Sequence, residues 1–346
     1  MTLLIAALPA RAETLLFPAV EEAERQRELT IHAALDLPQA RPLLEDFHRR
    51  YPDITLTYRN LSTLALNRSF LHDPSAADVI ISSAMPWQFS LVNDGHARAL
   101  GQAAVESWPE WARWRDELVA FTFEPIVMVY HRDLAEIASP PRNHAELVEL
   151  LDRHQTALKG RVATYDPVRS GAGYSYAIEE AQLSPRYWDL VVSLGGVNAA
   201  LHETSSEMLN GVASGRFLLG YNVLGSYAKA LVDEDPNLEM VIPDDYALVI
   251  QRSVFIPEQA PHPVAAGQFV NYLMSQEGQE VLARQTTLGA IHPQVSGEGS
   301  GRALRETFDE AIRPIGLSPR LLTALDALKR RAFLARWQRE FERGQE

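Results

Sequence analysis

Two long apolar runs, residues 121–130 (FTFEPIVMVY) and 247–256 (ALVIQRSVFI), decide the fold. Both runs are rich in β-branched and aromatic residues, which predicts extended strands. The block between them alternates strand-like and helix-like patterns, so it is expected to form an α/β unit of its own. A lobe inserted between two crossings of the chain gives two α/β lobes joined by a pair of hinge strands. The sequence therefore predicts a ligand cleft between the lobes, at the carboxyl ends of their strands.

The rest of the chain follows the same alternation on both sides of the inserted block. The fold class is thus α/β, with a discontinuous first lobe (residues 29–122 and 250–300), a second lobe (residues 123–249) and C-terminal helices (residues 301–346) expected to pack on the first lobe. Shorter strands are predicted at 29–33, 54–58, 77–81, 161–165 and 217–221. Helices are predicted at 38–49, 145–158, 184–194 and 263–284, and from about residue 173, with a helix or a pair of helices at 318–342.

The first residues, MTLLIAALPARAE, combine a short apolar run with Ala10-Arg11-Ala12, which is typical of the cleaved end of a secretion signal. We expect residues 1–12 to be a signal peptide that lacks its basic beginning, and residues 13–28 to be a flexible lead-in. The alternative is an apolar N-terminus with no targeting role. No other apolar run approaches the roughly 20 residues that a membrane-spanning helix needs. The sequence therefore predicts an exported, periplasmic protein.

Composition excludes several classes of function. A net charge of −13 argues against nucleic acid as a partner, because such binding depends on Lys and Arg neutralising phosphates. A single small anion stays compatible, since a few backbone amides and one Arg suffice to bind it. The chain has no cysteine, and it lacks the zinc-protease, phosphate-loop and serine-hydrolase motifs. We expect a monomeric binding protein that is not an enzyme and needs no cofactor or metal.

Six segments, in this order along the chain, resemble a known family. They are TIHAALDLPQARPLLEDFHRRYPDITLTY, ADVIISSAMPWQFSLVNDGHA, FTFEPIVMVYHRDL, TYDPVRSGAGYSYA, ETSSEMLNGVASGRFLLGYNVLGSYA and FVNYLMSQEGQEVLAR. Over residues 29–340 the chain resembles a type II periplasmic binding protein, in the branch of ABC transporter components that bind ferric iron or phosphorylated metabolites. The segments SSAMPWQ and YNVLGSYA look closer to binding proteins for phosphoglycerate or hexose phosphate, some of which work with a two-component sensor.

The resemblance implies a small anionic solute, a phosphorylated sugar or a phosphoglycerate-like acid. The protein would deliver it to an ABC permease or present it to the periplasmic domain of a sensor histidine kinase, and the sequence does not separate these two roles. Ferric iron is the alternative ligand. Ferric binders of this family typically use two adjacent tyrosines, whereas here Tyr221 is followed by Asn222 and the next tyrosine is Tyr227. A hydrolase on the same fold is a further, less favoured alternative.

The strongest local signal for a ligand site follows the predicted strand 161–165. There Ser170 can cap a helix, while Gly171 and Gly173 leave backbone amides open to a ligand. Arg169 can make a bidentate contact to a phosphate or carboxylate. The competing interpretation is an ordinary capped turn with a surface arginine.

Other candidate ligand-binding residues lie at the ends of predicted strands or within a hinge strand. Their hydroxyl, amide, aromatic and charged groups suit a polar solute, and His32 could also supply a cation or an iron ligand. For each of them, helix capping or structural packing is the competing interpretation. These candidates are Ser82 and Ser83, Thr204 and Ser205, Tyr221 and Asn222, His32 and Asp36, and Glu124 in the first hinge strand.

Overall fold

The structure is a computed structural model that describes residues 13–20, 27–308 and 310–346. The predicted signal peptide, residues 1–12, lies outside the described residues. The first part of the chain builds an α/β lobe. Its elements are β1 (Thr14–Phe17), β2 (Arg27–Ala33), α1 (Leu37–Arg50), β3 (Ile54–Asn60), α2 (Thr63–His72), β4 (Val79–Ser82), α3 (Met85–Asn93), α4 (Gln102–Val105), β5 (Arg113–Trp114) and β6 (Leu118–Ala120).

The chain then enters a second lobe and returns to the first. The second-lobe elements are β7 (Glu124–His131), α5 (His144–Arg153), α6 (Gln155–Leu158), β8 (Val162–Tyr165), α7 (Gly171–Leu183), α8 (Tyr187–Gly196), β9 (Ala200–His202), α9 (Ser205–Ala213), β10 (Leu219–Leu224), α10 (Gly225–Val232), β11 (Leu238–Val241) and β12 (Ala247–Ile250). After the return come β13 (Ser253–Phe255), α11 (Pro263–Met274), α12 (Gln276–Gln285), α13 (Gly301–Phe308), β14 (Ile312–Pro314), α14 (Arg320–Leu325) and α15 (Ala327–Gln345). None of the helices that the structure describes is long and apolar enough to cross a membrane.

Each lobe is built on its own sheet. In the first lobe the described strands follow the order β1-β3-β2-β4-β13-β6-β5, with β2 parallel to both β3 and β4. In the second lobe the order is β14-β12-β7-β10-β8-β9, and β11 pairs with β7. The strands β4 and β10 are buried along their whole length, as expected for strands covered by helices on both faces. The two-lobed α/β fold predicted from the sequence is confirmed.

Both long apolar runs cross between the lobes, as predicted, but each run changes sheet within its length. Residues 121–123 link β6 of the first lobe to β7 of the second. Gln251 and Arg252 link β12 back to β13. The two crossings lie side by side, because Ile250 pairs with Glu124 on one side of the junction and Ser253 with Ala120 on the other. These adjacent crossings are the hinge.

Two local predictions need correction. The flexible lead-in predicted for residues 13–28 is wrong where it is described at Thr14–Phe17, because this strand pairs antiparallel with β3 and its apolar Leu15 and Phe17 pack against the core. The helix predicted over residues 263–284 is interrupted at Ser275, whose hydroxyl accepts a hydrogen bond from the Gly278 amide at 3.0 Å and so starts a second helix.

The sequence predicts that the C-terminal helices pack on the first lobe, and this prediction is wrong for the last of them. The short helix α14 contacts α3 of the first lobe, but α15 packs along α8 of the second. Trp337 and Phe341, one helical turn apart on α15, are buried in the second-lobe core. Gly195 and Gly344 allow the two helix backbones to come close, since neither glycine has a side chain to separate them.

The contact between α8 and α15 predicts a stability difference between two helical glycines. A Cβ at Gly195 would lie 2.0 Å from the Phe341 carbonyl oxygen, so Gly195→Ala should lower the free energy of unfolding by about 1–3 kcal/mol through overpacking. The matched control is Gly267→Ala in α11, where an added Cβ meets no atom within 4 Å and alanine should be neutral or stabilising. Chemical denaturation of both variants checks this. Equal stability of the two variants would contradict the close packing of α15.

Candidate ligand-binding cleft

A cleft of about 300 Å³ lies between the lobes. Most of the residues that line it are polar, and they come from loops that follow strands in both lobes. The first lobe contributes Asp36, Asn60, Ser62, Thr63 and Ser83, the second contributes Tyr165, Thr204, Ser205, Ser206 and Tyr227, and the return crossing contributes Arg252.

Helix N-termini from both lobes converge on this cleft, because in each lobe a strand ends there and the next helix begins. The helices α1, α2, α7 and α9 all start at or beside lining residues. The first turn of α2 has no side-chain cap from Ser62. By contrast, Thr204 caps α9 by accepting a hydrogen bond from the Glu207 amide at 3.2 Å. The first amides of a helix and its dipole favour a negative charge, so this cleft has several places where an anion is stabilised.

The bottom of the cleft is held by a buried ion pair at the hinge. The Arg252 guanidinium lies 2.9 Å from the Glu124 carboxylate, and both side chains are almost fully buried. Thr122 accepts a hydrogen bond from the Arg252 amide and donates one to Glu124, each at 2.8 Å. Arg252 also donates to the Ala34 carbonyl of the first lobe, and Ser226 of the second lobe donates to Glu124. The pair therefore ties both crossings to both lobes.

The lobes are closed on each other in this structure. The Asp36 carboxylate accepts a hydrogen bond from the Ser206 hydroxyl across the cleft. The Asp36 amide donates to the Tyr227 hydroxyl at 2.9 Å, and the Gly171 amide donates to Thr63 Oγ1 at 3.1 Å. These hydrogen bonds join residues of the first lobe to residues of the second.

Four of the residues that the sequence analysis proposed line the cleft: Asp36, Ser83, Thr204 and Ser205. Gly171 lies at its edge, through the hydrogen bond of its amide to Thr63. Glu124 does not line the cleft, but it holds Arg252, which does.

Other proposed residues have structural roles outside the cleft. The Ser170 hydroxyl caps α7 by accepting from the Gly173 amide at 3.1 Å. A Cβ at Gly173 would lie 2.5 Å from Cβ of Tyr165, so Gly173 is required for packing. The Ser82 hydroxyl accepts from the Ala84 amide at 3.1 Å.

The two cations proposed for the site are also outside the lining. The Arg169 side chain is 54% exposed and lies at the rim, 2.8 Å from Asp166 and 3.4 Å from Glu203. His32 is buried in the first lobe. Burial, together with the charge of Arg59, lowers the pKa of the His32 imidazole, so this group stays neutral and supplies no cation.

Tyr221 and Asn222 point into the second lobe rather than the cleft. The pairing of β10 with β7 is irregular at these residues, and Asn222 has a positive φ of 62°. Both side chains donate hydrogen bonds to the buried Glu180 carboxylate. His144 completes the cluster, with its ring nitrogens 3.4 Å from Glu180 and 2.9 Å from Asp245. Although burial disfavours the imidazolium, these two carboxylates outweigh it and raise the pKa of His144 to about 9.

The sequence analysis missed much of the lining, including Arg252, Tyr227, Tyr165, Ser206 and Thr63. A signal for Arg252 was available, since it is the one charged residue in the run ALVIQRSVFI. Ser62 and Thr63 also precede the apolar residues of α2, which is a signal for a helix start. Nothing in the pattern indicated that Tyr227, in the first turn of α10, faces the cleft.

Among the residues that the structure describes, no group of three or more histidines and acidic residues is placed to hold a metal ion. The tyrosine hydroxyls that line the cleft have hydrogen-bond partners: Tyr165 pairs with Ser205 at 2.8 Å, and Tyr227 with Asp36. Burial raises the pKa of both phenols, which keeps them protonated at neutral pH.

Two lobes, a two-strand hinge and a polar cleft between them define a binding protein that encloses a small solute. The family of bacterial extracellular solute-binding proteins matches residues 37–285. The crystal structure of the substrate-binding protein of an ABC transporter from Agrobacterium tumefaciens shares 35% identity, with a TM-score of 0.92 over 96% of this chain and 100% of that one. The chain belongs to the bacterial extracellular solute-binding protein family.

More distant structures share the fold. AfuA from Actinobacillus pleuropneumoniae, solved with fructose 6-phosphate bound, is 17% identical with a TM-score of 0.73, over 92% of this chain and 99% of that one. Iron-bound HitA from Pseudomonas aeruginosa is 18% identical with a TM-score of 0.70, over 89% of this chain and 99% of that one. A search of curated proteins finds no significant match.

The hinge ion pair gives a prediction for stability. Glu124→Leu leaves Arg252 buried without its counter-charge, which should lower the free energy of unfolding by about 3–5 kcal/mol. The double variant Arg252→Met/Glu124→Leu should regain most of that loss, because it replaces both charges with apolar groups. Chemical denaturation of the three proteins checks this, and a double variant no more stable than Glu124→Leu would contradict it.

The second-lobe cluster gives a prediction for pH. The folded pKa of His144, about 9, lies above the unfolded value of 6.5, so its stabilising contribution is complete below about pH 6.5 and lost as the pH rises to about 9. The free energy of unfolding of the wild type relative to His144→Gln should therefore fall by up to about 3 kcal/mol over that interval. Chemical denaturation across this pH range measures the difference.

The matched control for this pH series is His72→Gln, since His72 is an exposed residue at the end of α2. This variant gives the baseline for replacing a histidine that lies outside the Glu180 cluster. A flat difference for His144→Gln would show that His144 is not charged in the folded protein.

Proposed function

We propose that this chain is the periplasmic substrate-binding component of an ABC transporter, and that it captures a small anionic solute such as a phosphorylated sugar or a phosphoglycerate-like acid. The observation that carries the proposal is the convergence of the N-termini of α1, α2, α7 and α9 on one cleft between the lobes. A phosphate or carboxylate group is stabilised at such positions by backbone amides and helix dipoles, even in a protein whose net charge is −13.

The first turn of α2 is the best position for the anionic group. Its amides are not capped by Ser62, and Thr63 and Ala65 of that turn line the cleft. Thr63 also holds the Gly171 amide of the second lobe. An anion bound there therefore contacts the first lobe at the point where the second lobe closes on it.

The remaining lining suits a hydroxylated solute. Hydroxyl groups of Ser83, Ser205 and Ser206, with the phenols of Tyr165 and Tyr227, can each donate or accept a hydrogen bond. Arg252 contributes a guanidinium whose charge is balanced by Glu124. The volume of about 300 Å³ is at the small end of ligand pockets, which favours a compact metabolite over a peptide.

Binding is coupled to closure of the lobes in this proposal. A solute that contacts both walls favours the closed arrangement by its difference in affinity for the closed and open states. The closed surface is then what a membrane partner recognises. The partner is a permease by similarity to the Agrobacterium tumefaciens protein, and a sensor histidine kinase is the alternative. Permease and ATPase genes beside this one would favour transport, and kinase and response-regulator genes would favour sensing.

Calorimetric titration of the refolded, ligand-free protein with fructose 6-phosphate, 3-phosphoglycerate and ferric citrate tests this function. At least one of the phosphorylated compounds should bind. Binding of ferric citrate alone would favour the alternative of iron transport, and failure of every phosphate and carboxylate probe to bind, amine-bearing ones included, would contradict the anionic class.

A variant at α2 locates the anionic group. Ala65→Asp places a carboxylate in the first turn of α2, so affinity for the bound phosphate compound should fall at least about tenfold through like-charge repulsion. The same substitution favours the helix, so lost binding will not reflect unfolding. Ala65→Ser is the matched control and should bind within about twofold of the wild type. Equal affinity of Ala65→Asp would remove α2 from the site.

A further inference from the structure

Asp36 is placed unusually for a residue that precedes a helix. It occupies the N-cap position of α1, yet its side chain makes no capping hydrogen bond there. The carboxylate instead extends into the cleft, where it accepts hydrogen bonds from the Ser206 hydroxyl of the second lobe and from Asn60 Nδ2 at 3.1 Å. The closed cleft thus holds a negative charge between its two walls.

The other charges of the cleft do not balance Asp36. Among the described residues that line it, Arg252 is the only Arg, Lys or His, and it lies 2.9 Å from Glu124. Glu203 is 3.4 Å from Arg169, and Glu207 is 3.5 Å from His202. Glu13 and Glu207 add further negative charge to the lining, since burial lowers the pKa of the His202 imidazole and keeps it neutral. A second anion beside Asp36 would therefore meet repulsion without a cation to offset it.

A positive group on the solute resolves this conflict. Asn60 donates a hydrogen bond to the Asp36 carboxylate, and it is the last residue of β3, the strand that precedes Ser62 and α2. The N-terminus of α2 and the Asp36 carboxylate therefore lie close together on the same wall, one suited to an anion and the other to a cation. A compact molecule that carries both groups satisfies both positions.

We propose that Asp36 selects the charge of the solute, and that the cleft takes zwitterions in which a primary amine accompanies the phosphate or carboxylate. The inference rests on the proposed function, since the anionic group is the one assigned to α2. The ammonium group contacts the Asp36 carboxylate and takes the place that the Ser206 hydroxyl fills in the closed, ligand-free protein. Asp36 thereby determines specificity, in addition to joining the two lobes through its hydrogen bond to Ser206.

Two matched pairs of probes test the proposal by calorimetry on the full-length, refolded protein. Phosphoethanolamine and 2-hydroxyethyl phosphate differ only in amine against hydroxyl, and so do β-alanine and 3-hydroxypropionate. In at least one pair the amine should bind at least about tenfold tighter than the alcohol. The pair that binds also distinguishes a phosphate from a carboxylate as the anionic group.

Two variants separate charge selection from lobe closure. Asp36→Asn removes the charge and keeps the size, so the preference for the amine should fall to within about twofold. Ser206→Ala removes the bond between the lobes and keeps the charge, so affinity for both members of a pair should change together and their ratio should persist. Asp36→Ser provides a second neutral variant should Asp36→Asn fail to fold.

Several outcomes would overturn the proposal. A ratio below about twofold in the wild type, or an unchanged ratio in Asp36→Asn, would show that Asp36 does not select charge. If none of the four probes bound while fructose 6-phosphate or 3-phosphoglycerate did, the proposed function would stand and the zwitterion class would be rejected. If no anion bound in either experiment, the proposed function itself would fail.

Discussion

The buried ion pair between Arg252 and Glu124 is the constraint on which the rest of the structure depends. Two charges removed from water are costly unless they are paired and fully hydrogen-bonded. Here the two charges are paired with each other, and they are hydrogen-bonded by groups from every part that the hinge must join: Thr122 on the first crossing, Ala34 in the first lobe and Ser226 in the second. Since none of these partners can move away without leaving a buried charge unsatisfied, the pair fixes where the lobes meet and where the cleft has its floor.

The walls of the cleft follow from the strand order of the two lobes. Parallel strands of one sheet end at the same edge, and the helix that follows each strand begins there with unpaired amides. Because the hinge sets the two edges face to face, α2 of the first lobe and α9 of the second present their N-termini to one space. The proposed affinity for an anion thus rests on the backbone arrangement, and it does not need a free arginine or lysine in the lining.

The sequence predicted the fold well because strands and helices each have their own periodicity of apolar residues. The runs 121–130 and 247–256 were long enough to indicate the two crossings. The directions of side chains were harder to predict. A position at the carboxyl end of a strand places a residue at the edge of a sheet, but it does not say to which side of the sheet its side chain points. Tyr221 and Asn222 end a strand as predicted, but the irregular pairing and positive φ turn them toward Glu180. The position of α15 could not be predicted from the sequence either, since an amphipathic helix can pack on either lobe.

The remaining cleft residues illustrate how little of a binding site a local pattern can reveal. Arg252 lies 128 positions from Glu124 in the chain, and Asp36 lies 170 positions from Ser206. Contacts of this kind depend on the closure of one lobe on the other. The fold is shared by a protein solved with fructose 6-phosphate and by one solved with iron, so the backbone alone does not choose the solute. In the proposal above that choice falls to Asp36, whose carboxylate reaches across the cleft to the Ser206 hydroxyl of the second lobe.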